Sequence, residues 1–281
     1  MQAHALTPRM VSALESQTAS RLTPEFPFLS VLASGGHTLL IYTSSLVEHR
    51  VLGTTNDIAV GECLDKVARI VLPPELLQTT KSTMYGALLE KFAFAPAEHE
   101  NTYTEDSEHG SDRAPLKATL GATGCTAKHY LEIFGTSYNW YEVPANHEDA
   151  ARRSTTKWGW GFSQPLTKVH GGTKINSMEL SFSGLLTAVE RVVQFQTDQT
   201  TGKRTKVERA IEDISLEEKK DIAREIMRAA FEHIAYRVIL GLQLVSDSSA
   251  PHPGVVLAGG VAANSFLRHM SVAFLKLRDL Y

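Results

Sequence analysis

Two glycine pairs, each following an apolar run, are the residues best placed to handle an anion: Gly35-Gly36 within SGGHT at 34–38, and Gly259-Gly260 within LAGGVAAN at 257–264. Glycine permits close backbone approach and positive φ, so successive N–H groups can converge on a phosphate. Ala262, Ala263 and Asn264 after the second pair read as a helix start, and a helix N-terminus favours negative charge. Either pair alone is a weak signal. Together they point to a phosphate or nucleotide held between sheet ends. Glu62, Asp65 and Lys66 form a further polar cluster beside Gly61. It reads either as a solvated charged face of small energetic value or as a carboxylate turned to ligand hydroxyls, with Gly61 allowing close packing. Ser34 and His37 sit on one turn and point in different directions, so they do not make a hydrolase pair. His4 and His37 are isolated histidines, and the chain has no H-x-x-x-H, H-E-x-x-H, C-x-x-C, P-loop or G-x-S-x-G signature.

The elements that must position these residues follow from hydrophobic period. FLSVLASGGHTLLIY at 28–42 is two β-forming runs around a Gly-Gly turn, a hairpin signal, and 51–55 reads as a third strand. Val60, Leu64, Val67, Ala68 and Val71 then define one apolar helix face. Asp57 is the expected N-cap of that helix, and Pro73-Pro74 stops it. LSFSGLLTAVERVVQF at 180–195 starts extended and becomes helical, with Ser181 or Ser183 as the expected cap. Ser215-x-x-Glu218 is a capping box. It opens a long helix carrying Ile222, Ile226, Ala230, Ile234, Val238 and Leu242 at every fourth position. GVVLAGGVAANSFLR at 254–268 reads as a buried strand, a turn and a helix, as in an α/β sheet. The stretch from about 95 to 160 is expected to be a polar insertion, because its acidic EHENTYTEDSEHGSDR core has little to bury. KWGWGFSQPL at 157–166 reads as a surface loop that pins two tryptophans against the body.

Composition narrows the function classes. The 281 residues are 43% hydrophobic, which excludes a fully disordered chain, and no apolar run approaches a membrane-spanning length. With 28 basic and 31 acidic residues the chain is not basic all over, although a local basic face is allowed. Arg152, Arg153, Lys157 and the basic run at 203–209 are candidates for such a face, with a solvated charged surface as the alternative. Two cysteines, Cys63 and Cys125, make neither a disulfide framework nor a zinc module. The opening MQAHALTPRM reads neither as a secretory signal nor as a transit peptide.

Four blocks, SGGHT at 34–38, DIAVGECLDKVAR at 57–69, SFSGLLTAV at 181–189 and LAGGVAAN at 257–264, occur in this order in one family. The chain resembles the TsaD/OSGEP-like tRNA threonylcarbamoyladenosine synthases, and HALTPRM at 4–10 resembles the mitochondrial branch. The resemblance implies an α/β, actin/Hsp70-like (ASKHA) fold. Residues 1–25 would be a remnant of the first domain and residues 26–281 the second domain, with the insertion at about 95–160. It implies transfer of a threonylcarbamoyl group from threonylcarbamoyl-AMP to the exocyclic amine of the adenosine 3′ of the anticodon in tRNAs reading ANN codons. It also allows a homodimer, and the mitochondrial branch implies a mitochondrial location; the lack of a long apolar run gives no expectation of a membrane partner.

Carried over by motif, Leu32, Ala33, Ser34, Gly35 and Gly36 match the family's substrate loop, and Asp65 and Asn264 match its substrate-binding Asp and Asn. Gly86 is the nearest match to a further substrate-contacting glycine, although the family's P-G-G segment is absent, and Leu186 stands where lysine is common. The family holds one divalent metal, iron or zinc, through H-x-x-x-H and a later Asp. His4 matches the second His, the first would fall just before Met1, and the Asp would lie beyond Tyr281. The expectation is therefore a chain that lacks most of the first domain and the C-terminal return, and that binds metal weakly on its own. A small-molecule kinase of the same fold, a non-catalytic scaffold and a metalloprotease are the competing readings.

Overall fold

A computed structural model describes residues 2–15, 22–78, 80, 84–94, 138, 140–167, 174–198, 200–246, 252–278 and 280. Cys125 and most of the expected insertion lie outside them. The described elements are α1 (Gln2–Glu15), β1 (Phe28–Ala33), β2 (Thr38–Thr43), β3 (His49–Thr54), α2 (Val60–Val71), α3 (Pro74–Gln78), α4 (Gly86–Phe94), α5 (His147–Arg153) and α6 (Ser183–Gln194). They continue with β4 (Phe195–Thr197), β5 (Arg204–Glu208), α7 (Leu216–Val245), β6 (Gly254–Ala258) and α8 (Ser265–Leu277), with short 3₁₀ turns at Ile211–Asp213 and Gly260–Ala263. The chain is mixed α/β, as its hydrophobic periods predict.

One four-stranded sheet runs β3-β2-β1-β6. β1 and β2 form the expected antiparallel hairpin, with Ala33 opposite Thr38, and β6 lies parallel to β1 with Leu32 opposite Ala258. All six β1 residues are buried, because both faces of the strand are covered. Leu29, Val31 and Ala33 join the main core with α2, α7 and α8, while Leu32 packs with Leu39 and Ile41 in a smaller cluster. α7 spans 30 residues, and each of its expected stripe residues is buried. Pro73 ends α2 as expected, and Leu72 still donates its N–H to the Ala68 carbonyl.

Three expectations for helix ends need correction. Asp57 does not cap α2. The first N–H groups of that helix go instead to tertiary acceptors, Val60 N to Thr38 Oγ1 at 2.9 Å and Gly61 N to the Ser34 carbonyl at 3.1 Å. Neither Ser181 nor Ser183 caps α6, whose N-cap position is Phe182 with no side-chain cap. The Ser215 box is half made. Ser215 Oγ accepts the Glu218 N–H at 3.1 Å, but the Glu218 carboxylate turns to Arg209 and Trp160 rather than back to the cap.

Within the stretch expected to be a polar insertion, Tyr138, Tyr141, Trp160 and Phe162 are buried and supply the apolar surface that the acidic core lacks. The two tryptophans are pinned to α7 as expected: Trp158 Nε1 donates to Asp221 at 2.9 Å and Trp160 Nε1 to Glu218 at 2.8 Å.

α7 also carries a histidine that sets an acid limit on the fold. His233 is fully buried, its Nε2 accepts the Ser181 N–H at 3.3 Å, and burial together with the Arg237 charge holds its pKa down to about 3. Burial lowers His147 and His269 in the same direction. An unfolded histidine titrates near 6.5, so the unfolded chain takes up protons that the fold refuses. Stability is full above that value and falls as the pH drops toward 3. The expected result is a melting temperature that declines between about pH 7 and about pH 5, less steeply in His233→Gln. Equal slopes in the two proteins would refute this role of His233.

Candidate functional site

The site forms where the parallel strands β1 and β6 end, outside their carboxyl termini. Each strand runs into one of the glycine pairs. After β1, the Ser34 hydroxyl folds the turn: its Oγ accepts the His37 N–H at 3.0 Å and the Gly36 N–H at 3.3 Å, and donates to the His37 carbonyl at 3.2 Å. The serine thus builds the loop, and its contacts to His37 are all to main chain. After β6, Gly259 adopts φ 96° and ψ 171°, a region open essentially to glycine. It lies so close to β1 that a Cβ there would come 2.3 Å from the Ala33 carbonyl oxygen.

Helix α2 closes the site from the side. A Cβ on Gly61 would meet the Ser34 carbonyl oxygen at 2.7 Å and the Gly35 nitrogen at 2.8 Å, so the missing side chain is what seats α2 on the first glycine loop. That contact brings the polar face of α2 beside the loop. Gly35, Glu62, Asp65, Lys66 and Arg69 line a cavity of about 460 Å³. Glu62 and Lys66 pair at 2.8 Å on the exposed rim. The Arg69 guanidinium lies 5.0 Å from the centre of the Tyr85 ring. Asp65 is half-buried, and its Oδ1 accepts the Gly86 N–H at 2.7 Å at the start of α4. Burial raises its pKa, opposed by the Gly86 and Tyr85 backbone N–H groups and by the Arg69 charge. A carboxylate has four lone-pair sites, so Asp65 keeps acceptor capacity toward the cavity that it lines.

The sequence-predicted residues thus separate into two groups. Gly35 and Asp65 line one cavity, Gly86 is bonded to Asp65, and Ser34 and Gly36 shape the loop. Leu32 and Ala33 are buried at the end of β1. Asn264 lies on the neighbouring loop, outside the cavity wall. It is buried, its Oδ1 accepts the Leu267 N–H at 3.0 Å as the N-cap of α8, and its Nδ2 lies 3.7 Å from Met227 Sδ. The anion expected at the start of that helix is also supplied by the protein itself, since Glu90 Oε1 accepts the Ser265 N–H at 2.7 Å. Glu90 was not legible as a site residue, because it reaches α8 from α4 across 175 positions.

Asp57 is the second residue with a role hidden in the sequence. Its Oδ2 accepts both the Ser181 and Ser183 hydroxyls at 2.6 Å and the Ser183 N–H at 3.1 Å, and its Oδ1 accepts the Phe182 N–H at 3.1 Å. Burial would raise its pKa, but the serine hydroxyls and the Phe182 and Ser183 N–H groups outweigh it and lower the value. The carboxylate therefore ties the start of α6 to the segment that leads into α2.

Among the described residues, no three His, Cys, Asp or Glu side chains come together to hold a metal ion. His4 falls within α1, and its side chain is outside what the structure describes. Among the described residues, too, no helix is long and apolar enough to cross a membrane.

Comparison with known proteins bears on this arrangement. The family model for TsaD, tRNA N6-adenosine threonylcarbamoyltransferase, matches residues 1–107 and 121–278. The mitochondrial tRNA N6-adenosine threonylcarbamoyltransferase of Schizosaccharomyces pombe is 28% identical over 270 residues, covering 96% of this chain and 43% of its own length. The tRNA N6-adenosine threonylcarbamoyltransferase of Buchnera aphidicola is 46% identical over 69 residues, covering 25% of this chain and 18% of its own length. That of Dichelobacter nodosus is 40% identical over 87 residues, 29% of this chain and 23% of its own. The chain spans less than half the length of these relatives.

Proposed function

Because the chain belongs to the TsaD family of tRNA N6-adenosine threonylcarbamoyltransferases, we propose that its glycine-loop cavity holds threonylcarbamoyl-AMP for transfer to the adenosine 3′ of the anticodon in tRNAs reading ANN codons. One observation carries this reading: Gly35 and Asp65, from two separate family motifs, line the same cavity. In the proposed reaction the adenine amine attacks the carbamoyl carbon. A C–N bond forms, AMP leaves through its phosphate oxygen, and the amine loses one proton. Such a step depends on positioning and on stabilising developing negative charge rather than on a covalent nucleophile. Asp65 would accept hydrogen bonds from ligand hydroxyls, and the glycine loop would let the backbone approach the phosphate.

The order β3-β2-β1-β6, with a parallel strand beside a meander, supports reading residues 26–281 as the second domain of an actin/Hsp70-like fold, with residues 1–25 belonging to the first. In this reading a divalent ion, iron or zinc, would take His4 as one ligand and its others from outside the described residues. A mitochondrial location follows the fission yeast relative.

The test is calorimetric titration with a non-hydrolysable analogue of threonylcarbamoyl-AMP, paired with transfer of labelled threonine to an ANN-decoding tRNA. Asp65→Asn keeps an acceptor for the Gly86 N–H but removes the charge. It is expected to weaken analogue binding by about tenfold or more, the worth of a charge-assisted hydrogen bond. Equal affinity in the variant would overturn the assignment of Asp65.

A further inference from the structure

We infer that the β4–β5 hairpin is the RNA-facing arm of this protein, with Lys203, Arg204 and Lys206 holding phosphates of the tRNA substrate; this rests on the proposed function and adds the surface that receives the RNA. The basic candidates named from the sequence fall into two classes once their partners are known. Arg152 and Arg153 both bind Asp149, and Arg153 also binds Glu142 at 2.8 Å. Lys157 is bonded to Glu217 and lies 3.7 Å from Asp221. Arg209 donates twice to the Val192 carbonyl and to Glu218 at 2.8 Å, so it fastens the hairpin root to α6 and α7. These cations are neutralised within the protein. Lys203, Arg204 and Lys206 are exposed, and none of them makes an ion pair among the described residues.

Register puts Arg204 and Lys206 on one face. Phe195 pairs with Glu208 and Thr197 with Arg204, so Arg204 and Lys206 share a face with Phe195, and the Arg204 guanidinium lies 5.6 Å from the centre of that ring. An aromatic beside basic side chains on a two-stranded ribbon suits a nucleic-acid backbone and its bases. Asp198 is turned to the Thr200 and Thr201 N–H groups within the connecting turn, and Glu208, opposite Phe195, shares the face at its root, so Arg204 and Lys206 carry the positive charge toward the tip.

The hairpin also stands at the correct end of the molecule. The segment entering α6 passes Ser181, beside His233 of α7, and the helix reaches Val192, which Arg209 links to Glu218. It therefore travels toward the N-terminus of α7. Asn264, on the second glycine loop, touches Met227. From Met227 to the first residue of α7 the helix continues for about 16 Å at its ordinary rise. The hairpin is rooted near that end of α7, through the Arg209 bonds to Val192 and Glu218.

The experiment is fluorescence anisotropy of a labelled, unmodified ANN-decoding tRNA transcript against the full chain between about 50 and 200 mM salt. Two variants are compared, K203A/R204A/K206A and, as a milder change, Lys206→Glu. Each lost phosphate contact lowers the salt slope by about 0.7 to 0.9, so the triple variant is expected to lose about two to three units of slope and about tenfold or more in affinity. Arg152→Ala combined with Lys157→Ala is expected to leave both unchanged. Circular dichroism checks that the variants keep the fold. If the wild type binds and both hairpin variants bind equally with the same slope, the hairpin is not the RNA surface and the family reading stands. If the wild type binds no tRNA, the RNA reading itself fails, and the hairpin with it.

Discussion

Glu232→Ala is expected to cost about 3–5 kcal/mol of folding stability, a large share of the margin of an ordinary domain. Glu232 is 2% exposed in the middle of α7. Its Oε2 accepts from Arg228 at 2.8 Å and from Gln164 Nε2 at 3.3 Å, and its Oε1 accepts the Tyr141 hydroxyl at 3.1 Å. Arg228 is itself buried and also bonds to Glu225 at 2.7 Å and to the Phe162 carbonyl at 2.9 Å. Burial raises the pKa of Glu225 despite the Arg228 charge, so the network has little ionic reserve. Removing Glu232 leaves a buried guanidinium short of one carboxylate and a buried phenol without its acceptor. It also removes the Tyr141 and Gln164 ties to α7, leaving that part of the chain held through Trp158, Trp160 and Phe162. Urea denaturation measures the loss. A double change to apolar isosteres, Arg228→Met with Glu232→Leu, is expected to recover much of it, because replacing a buried pair costs far less than breaking it. A Glu232→Ala protein within about 1 kcal/mol of wild type would contradict this account.

Gly259→Ala should be the most damaging single methyl group in the site. Its φ of 96° with ψ 171° costs about 1–3 kcal/mol for a residue with a Cβ. The added atom would also press to 2.3 Å from the Ala33 carbonyl oxygen and 2.8 Å from its carbon, both rigid backbone of a buried strand. Strain and clash together are expected to exceed about 3 kcal/mol. Relief requires β6 to move from β1, which would separate the two glycine loops and abolish binding of the threonylcarbamoyl-AMP analogue. Gly35→Ala and Gly36→Ala provide the contrast. A Cβ at either position meets nothing within 4 Å, so melting should stay close to wild type. Thermal melts of the three variants decide the matter. Similar destabilisation at all three positions, or none at Gly259, would show that the β1–β6 contact is not what constrains this loop.

Much of the architecture was legible because it is local. The β1–β2 hairpin follows from alternating apolar residues around Gly35-Gly36, and the buried stripe of α7 from a four-residue repeat. That Gly61 allows a close approach was also readable, but that the partner is the first glycine loop was not. The errors are equally consistent. Asp57 carries every local mark of an N-cap for α2, yet its carboxylate serves α6, 124 to 126 positions away. The acidic stretch gave no hint that Tyr141 joins the core, because its partner Glu232 lies on α7.

The same division holds for the site. Residue types and spacing alone determined which motifs are present, their family resemblance and the strands and helices that carry them, because period, turn chemistry and composition act over a few residues. Which carboxylate faces the cavity, which cations stay free and which helix N-terminus is already filled by Glu90 were decided only by tertiary structure. Those outcomes depend on charges and backbone groups that meet across more than a hundred positions. A charge is spent or available only according to what folds against it.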